Sequence, residues 1–145
     1  MSSAKDFFSD DQVREISAAI GVAETKTSGE VRVHIEKKCE RDALAEAEMW
    51  FGKLGMHKTQ DRNGILIYLA VESRVFAVYG DRGIHEKVHQ EFWNEVTHNM
   101  ELKFRDGKFT DGLVEMINRT GEQLQKYFPI SSNDKNELSN DISFR

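Results

Sequence analysis

The chain has 145 residues, 39% of them hydrophobic and 31% charged, with a formal net charge of -5. That length and balance suit one folded domain with a sizeable core and exclude a disordered chain. The acidic total, with no basic run longer than a pair, argues against nucleic acid as a partner.

Cys39 is the one cysteine, so no internal disulfide can form, and its thiol reads as buried or idle. The first residues carry no apolar run of signal-peptide length. No segment approaches the roughly 20 apolar residues of a membrane span. The sequence therefore predicts a soluble, cytoplasmic protein without a membrane span. The negative surface and the lack of an exposed apolar stripe favour a monomer.

Ser9 and Gln12 form a capping box, with Phe8 and Val13 as a hydrophobic staple. Val13, Ile16, Ala19, Ile20 and Ala23 mark the face of a first helix that ends near Thr25. Residues 30–37 alternate: Val31, Val33 and Ile35 face one way, and Arg32, His34 and Glu36 face the other. This predicts a strand with one polar face near a sheet edge. Leu44, Ala47, Phe51 and Leu54 mark a second helix stopped by Gly55. Residues 65–71 are apolar throughout and read as a central strand covered on both faces. A turn at Glu72-Ser73 leads to a hairpin partner over 75–79. Ile84, Val88, Phe92 and Val96 mark a third helix running to about Phe104. Thr110 caps a fourth, carrying Leu113, Ile117 and Leu124 and stopped by Pro129.

The order α-β-α-β-β-α-α predicts an α/β fold: a three-layer αβα sandwich around a mixed sheet of three strands, with residues 142–144 adding a fourth. The first crossover is right-handed, so the first two strands are parallel. Residues 1–145 form a single domain. Connectivity brings residues 27–30, 61–64 and 80–83 to one end of the sheet. The fourth helix returns to that end, and the tail over 128–145 is expected to fold back on it.

Asp61 and Asp81 then stand side by side. Two carboxylates forced together repel unless a proton or cation lies between them. The tail adds Asp134, Asn136 and Glu137. These five side chains offer oxygen ligands only, which suits hard cations: calcium first, with magnesium or manganese as alternatives. Glu30 and Asp141 are second-tier ligands, and there is room for a second ion. The same residues are also common in ordinary turns and caps.

The ordered set Thr27-Ser28-Gly29-Glu30-Val31-Arg32-Val33, Asp61-Arg62-Asn63-Gly64-Ile65, Gly80-Asp81-Arg82-Gly83-Ile84 and Phe109-Thr110-Asp111-Gly112-Leu113 resembles the TPM domain. The tail segments Asn136-Glu137-Leu138 and Asp141-Ile142-Ser143-Phe144 look like those of a stand-alone cytoplasmic subgroup. The resemblance implies an αβα sandwich and divalent-cation binding. For some members it implies phosphate-ester hydrolysis, and for others a role in assembly or repair. The reading is a metal-binding module in which the ion pins both loops and the tail, with a regulatory or partner-binding role. The alternative is a metal-dependent phosphohydrolase. There a metal-bound water would attack, Arg62 and Arg82 would orient the phosphate ester, and Asp81 would serve the centre.

His85-Glu86-Lys87-Val88-His89 matches the H-E-x-x-H pattern of zinc peptidases. On one helix the two imidazoles would share a face, with Glu86 as general base. The motif falls in an exposed first turn, carries Lys87 and Glu91 where apolar residues suit a peptidase, and leaves only Glu115 as a third ligand. A solvated helix flank fits it better. His34 and His98 read as surface or packing residues, and Trp50 and Trp93 as core.

Overall fold

A computed structural model describes residues 7–130 and 142–145 of the chain. Helix α1 spans Asp10–Glu24 and opens on the capping box: Gln12 N donates to Ser9 Oγ at 3.1 Å, and Ser9 N to Gln12 Oε1 at 2.9 Å. Strand β1 spans Glu30–Glu36, and helix α2 spans Ala43–Lys53. Gly55 follows α2 at φ +72°, the left-handed conformation that glycine adopts without a Cβ clash. After a 3₁₀ turn over Met56–Lys58 come strands β2, Gly64–Ala70, and β3, Val75–Gly80. Helices α3, Arg82–Lys87, α4, Gln90–Arg105, and α5, Phe109–Tyr127, follow, and β4 is Ser143–Phe144.

The four strands form one mixed sheet in the order β3-β2-β1-β4. β1 lies parallel to β2, with Glu30 opposite Gly64, and β3 returns antiparallel with Gly80 opposite Ile65. β4 adds to the other side of β1 in parallel, pairing Ser143 with His34 and Phe144 with Ile35. The fourth strand is therefore present. Every residue of β2 is buried, because helices cover both of its faces.

Val31, Val33, Ile35, Ile65, Ile67 and Leu69 pack against α1, α4 and α5 through Ile16, Ile20, Val96, Met100, Leu113 and Ile117. On the opposite face Leu66, Tyr68 and Ala70 pack against Ala47, Trp50, Phe51 and Met56 of the crossover. The result is the three-layer sandwich. Burial of a large apolar side chain contributes about 1.5–3 kcal/mol, so these two interfaces outweigh any surface ion pair. Among the described residues no helix is long and apolar enough to cross a membrane.

Two local expectations are overturned. The single third helix is broken: Val88 is extended at φ -100°, ψ 125°, and His89 starts α4 from φ -73°, ψ 147°. The four-residue apolar spacing survives, because Ile84 and Val88 both reach the core, Val88 from an extended backbone. The polar face of β1 is not solvated. His34 is 1% exposed and Glu36 2%, covered by Trp50 of α2 and by the C-terminal segment.

Candidate functional site

The backbone ties the three predicted loops together at one end of the sheet. Asp81 N donates to Gly64 O at 2.9 Å, Gly83 N to Arg62 O at 2.9 Å, and Glu30 N to Asn63 O at 3.3 Å. Asn63 Nδ2 donates to Ser28 Oγ at 3.3 Å. Gly83 is required by close approach. A Cβ added there would lie 2.6 Å from the carbonyl oxygen of Arg62 and closer still to that of Asp61. Arg62 itself sits at φ +51°. The end of α5 arrives at the same place, with Ser28 N donating to Phe128 O at 2.9 Å and Thr27 bridging to Pro129.

Asp81 is 4% exposed and caps α3, accepting from Arg82 N at 2.8 Å. Its carboxylate also accepts both arms of Arg62, Nε at 2.7 Å on Oδ2 and Nη2 at 3.0 Å on Oδ1. The positive charge beside Asp81 is thus a guanidinium of the chain. This corrects the expectation that Asp61 and Asp81 by themselves demand a cation. It also commits the fork of Arg62, leaving Arg82 as the exposed arginine of the pair. A carboxylate has about four lone-pair directions. Three are used here, so Asp81 keeps one. Asp61 is exposed and has no ion partner among the described residues.

The like-charged pair lies one loop away. Glu24, at the end of α1, accepts from Val31 N at 3.0 Å and meets Glu30, which is 2% exposed. Burial, then the hydrogen bond and charge of Glu30, push the Glu24 carboxyl up to about 9. Sequence reading placed Glu30 in the second tier and missed Glu24. Its signal was an acid in the last turn of a helix without a basic residue there, where the helix dipole disfavours negative charge.

Asp134, Asn136, Glu137 and Asp141 lie outside the described residues. Among the described residues no three His, Cys, Asp or Glu side chains form a metal-binding group. The H-E-x-x-H reading fails on geometry. His85 belongs to α3 and His89 stands outside it as the N-cap of α4, so one continuous helix face never forms.

The opposite end of β1 holds a second polar cluster. Glu36 accepts from the Tyr68 hydroxyl and from Arg145 Nη1 at 3.2 Å, and His34 Nε2 lies 3.6 Å from it. Burial would raise the Glu36 carboxyl, but the hydrogen bonds of Tyr68 and Arg145 hold it below the ordinary carboxylate value. His34 stacks on Trp50 with ring centroids 4.0 Å apart, and burial lowers its pKa. A cleft of about 470 Å³ opens beside it, lined by Glu36, Lys38, Arg41, Glu46 and Arg145 among others.

Comparisons with known proteins agree with this architecture. The BA42 protein of the psychrophilic bacterium Bizionia argentinensis, solved by NMR, is 43% identical, with a TM-score of 0.90 and 99% of each chain covered. The N-terminal domain of the cg2496 protein of Corynebacterium glutamicum is 13% identical with a TM-score of 0.64, covering 91% of this chain and 80% of that one, a likeness of fold. No curated protein matches the chain. The TPM domain family matches residues 1–123, and with the full-length likeness to BA42 this gives the identity the fold and loops anticipated: the chain belongs to the TPM domain family.

Proposed function

We propose that the loop end of the sheet binds a divalent cation and that the ion couples the two loops to the tail residues 134–137. Asp61 and Asp81 would hold the ion together with carbonyl oxygens of residues 61–64, and Asp134, Asn136 and Glu137 of the tail would complete the shell. Glu24 and Glu30 would offer a second oxygen cluster, where a cation replaces the shared proton. The donor set is all oxygen, which fits calcium, magnesium or manganese and disfavours a softer metal.

The observation that carries this reading is the crowding of carboxyl oxygens at one backbone-locked end. Glu24 stands against Glu30, and Asp61 and Asp81 belong to two loops that main-chain hydrogen bonds tie together. Carboxylates gathered in the fold but dispersed in the unfolded chain favour a ligand that binds only the fold. At a concentration 100 times its Kd such a ligand adds about 2.7 kcal/mol of stability. When bound, the ion would supply charge neutralisation and a fixed geometry for the chain that follows Pro129.

The test is titration with calcium and with magnesium, reading amide shifts and melting temperature in the wild type and in Asp61→Asn. The wild type should respond at residues 61–64 and 80–83, and Asp61→Asn should respond more weakly. No response of either observable at millimolar ion would end the proposal. Turnover of a phosphate ester, abolished by chelator and by Asp81→Ala, would move the reading to a phosphohydrolase.

A further inference from the structure

Glu36 is 2% exposed, and its two carboxylate oxygens are engaged differently. Oε2 accepts from the Tyr68 hydroxyl. Oε1 faces two basic side chains at once: Arg145 Nη1 donates to it at 3.2 Å, and His34 Nε2 lies 3.6 Å away. His34 is 1% exposed and makes no hydrogen bond through Nε2 among the described residues. Its ring is stacked on Trp50 of α2, and Lys53 Nζ lies 4.8 Å from the centre of that indole. The Arg145 side chain is 64% exposed. Of the two, Arg145 is the one that returns readily to water.

Two cations on one buried carboxylate leave a net positive charge where solvent is scarce. Arg32 of β1 and Arg145 both oppose a proton on His34, whereas Glu36 favours it. The other charges of the adjoining cleft make no hydrogen bond to Glu36 among the described residues: Arg41 is held by Glu46 and Lys37 by Glu72, while Lys38 and Glu40 are exposed. We propose that residues 143–145 are a proton-sensitive latch: an imidazolium at His34 takes Glu36 Oε1 from Arg145, and the end of the strand comes away from β1. Ser143 is the hinge. Its oxygen, 2.7 Å from His34 Nδ1, accepts from the imidazolium, and its hydroxyl hydrogen turns to Val33 O at 3.3 Å. Without its guanidinium contact the end is held by the two residue pairs of β4 and by Arg145 N on Ile35 O at 3.1 Å. Burial keeps the His34 pKa below 6.5 while the latch is closed, and opening returns it towards that value. The closed state is therefore fully favoured above pH 6.5 and loses ground as pH falls. The latch lies at the far end of β1 from the proposed cation site and does not rest on it.

The test is NMR on the full chain without added metal between pH 7.5 and 5.0. It follows the His34 imidazole shift and the exchange protection of the Arg145 amide, corrected for the intrinsic pH dependence of exchange. Protection is the deciding readout, because a charged ring alone shifts nearby amides. Both should follow one midpoint below pH 6.5, with protection of Arg145 falling about tenfold, the factor for one pKa unit of coupling. In His34→Gln the protection should stay level over the same range. The coupling is reciprocal, so Arg145→Ala, a change at an exposed side chain, should raise the His34 midpoint by about one pH unit. An imidazole that titrates while Arg145 stays protected would overturn the proposal. So would a loss of protection that persists in His34→Gln, or a His34 midpoint unmoved in Arg145→Ala.

Discussion

The two ends of β1 handle buried charge in opposite ways. At the Glu36 end the buried carboxylates are answered by side chains of the same protein: Arg145 and Tyr68 for Glu36, Arg41 for Glu46. At the Glu30 end Asp81 is answered by Arg62, but Glu24 leans on Glu30 and its carboxyl is pushed up to about 9. The backbone differs too. The Glu30 end is locked by main-chain bonds among three loops, whereas the outer edge of the Glu36 end is closed by a two-residue strand and side-chain contacts. Where opposite charges are matched within the chain, the occupant is already present. Where two carboxyls are held together, a proton between them offsets the repulsion, and the proposed cation would take its place.

Breaking the locked end should cost most. Gly83→Ala forces a Cβ into the carbonyls of Asp61 and Arg62, which are backbone atoms with little room to move. We expect a loss of about 3 kcal/mol in urea unfolding, the upper part of the range for overpacking. An unchanged midpoint would mean that the loops are looser than their hydrogen bonds suggest. Asp81→Ala comes next. It removes the cap of α3 and both bonds to Arg62, though Arg62 is partly solvated and recovers some of the loss in water. A loss of about 2 kcal/mol is expected, of which a cap alone supplies about 1. Asp81→Asn should retain part of the cap and lie between Asp81→Ala and the wild type.

The smallest effect belongs to the matched end and reads out in pH. Burial lowers the folded pKa of His34 below its ordinary value near 6.5. The groups facing it are Glu36 and Arg32 of β1, Trp50 of α2, Tyr68 of β2, and Ser143 and Arg145 of the C-terminal segment. Above pH 6.5 His34 is neutral in both states and its contribution is fully present. As pH falls through 6.5 the unfolded chain takes up a proton that the fold resists, so stability declines. The slope is at most about 1.4 kcal/mol per pH unit, the limit for one proton. Unfolding midpoints between pH 7.5 and 5.5 for wild type and His34→Gln should diverge, with the variant less sensitive. Parallel curves would remove His34 from the account.

The layers, the parallel crossover and the meeting of the loops were legible in the sequence, because each rests on a strong local pattern. The uninterrupted apolar run of β2, the alternation of β1 and the capping box of α1 are of this kind. The break at Val88 was not legible. Apolar spacing records which side chains reach the core, and Val88 reaches it from an extended backbone as well as from a helix. The burial of His34 and Glu36 was hidden because alternation separates two faces without saying what covers the polar one. Trp50 and Arg145 cover it, the latter 109 positions away from Glu36. At the loop end the proximity of Asp81 and the loop before β2 was correct. Its electrostatics was not, since the adjacent Arg62 turns back at positive φ and grips Asp81 itself. Glu24 escaped notice because its partner lies across a chain reversal.

The most direct test is a calcium titration followed residue by residue through backbone amide shifts. Saturable shifts at residues 24, 30, 61–64 and 80–83, with little change at 34–36 and 143–145 and a rise in melting temperature, are the predicted result. Shifts spread evenly over the acidic surface, or none at the loop end at millimolar calcium, would contradict the assignment of that end as a cation site.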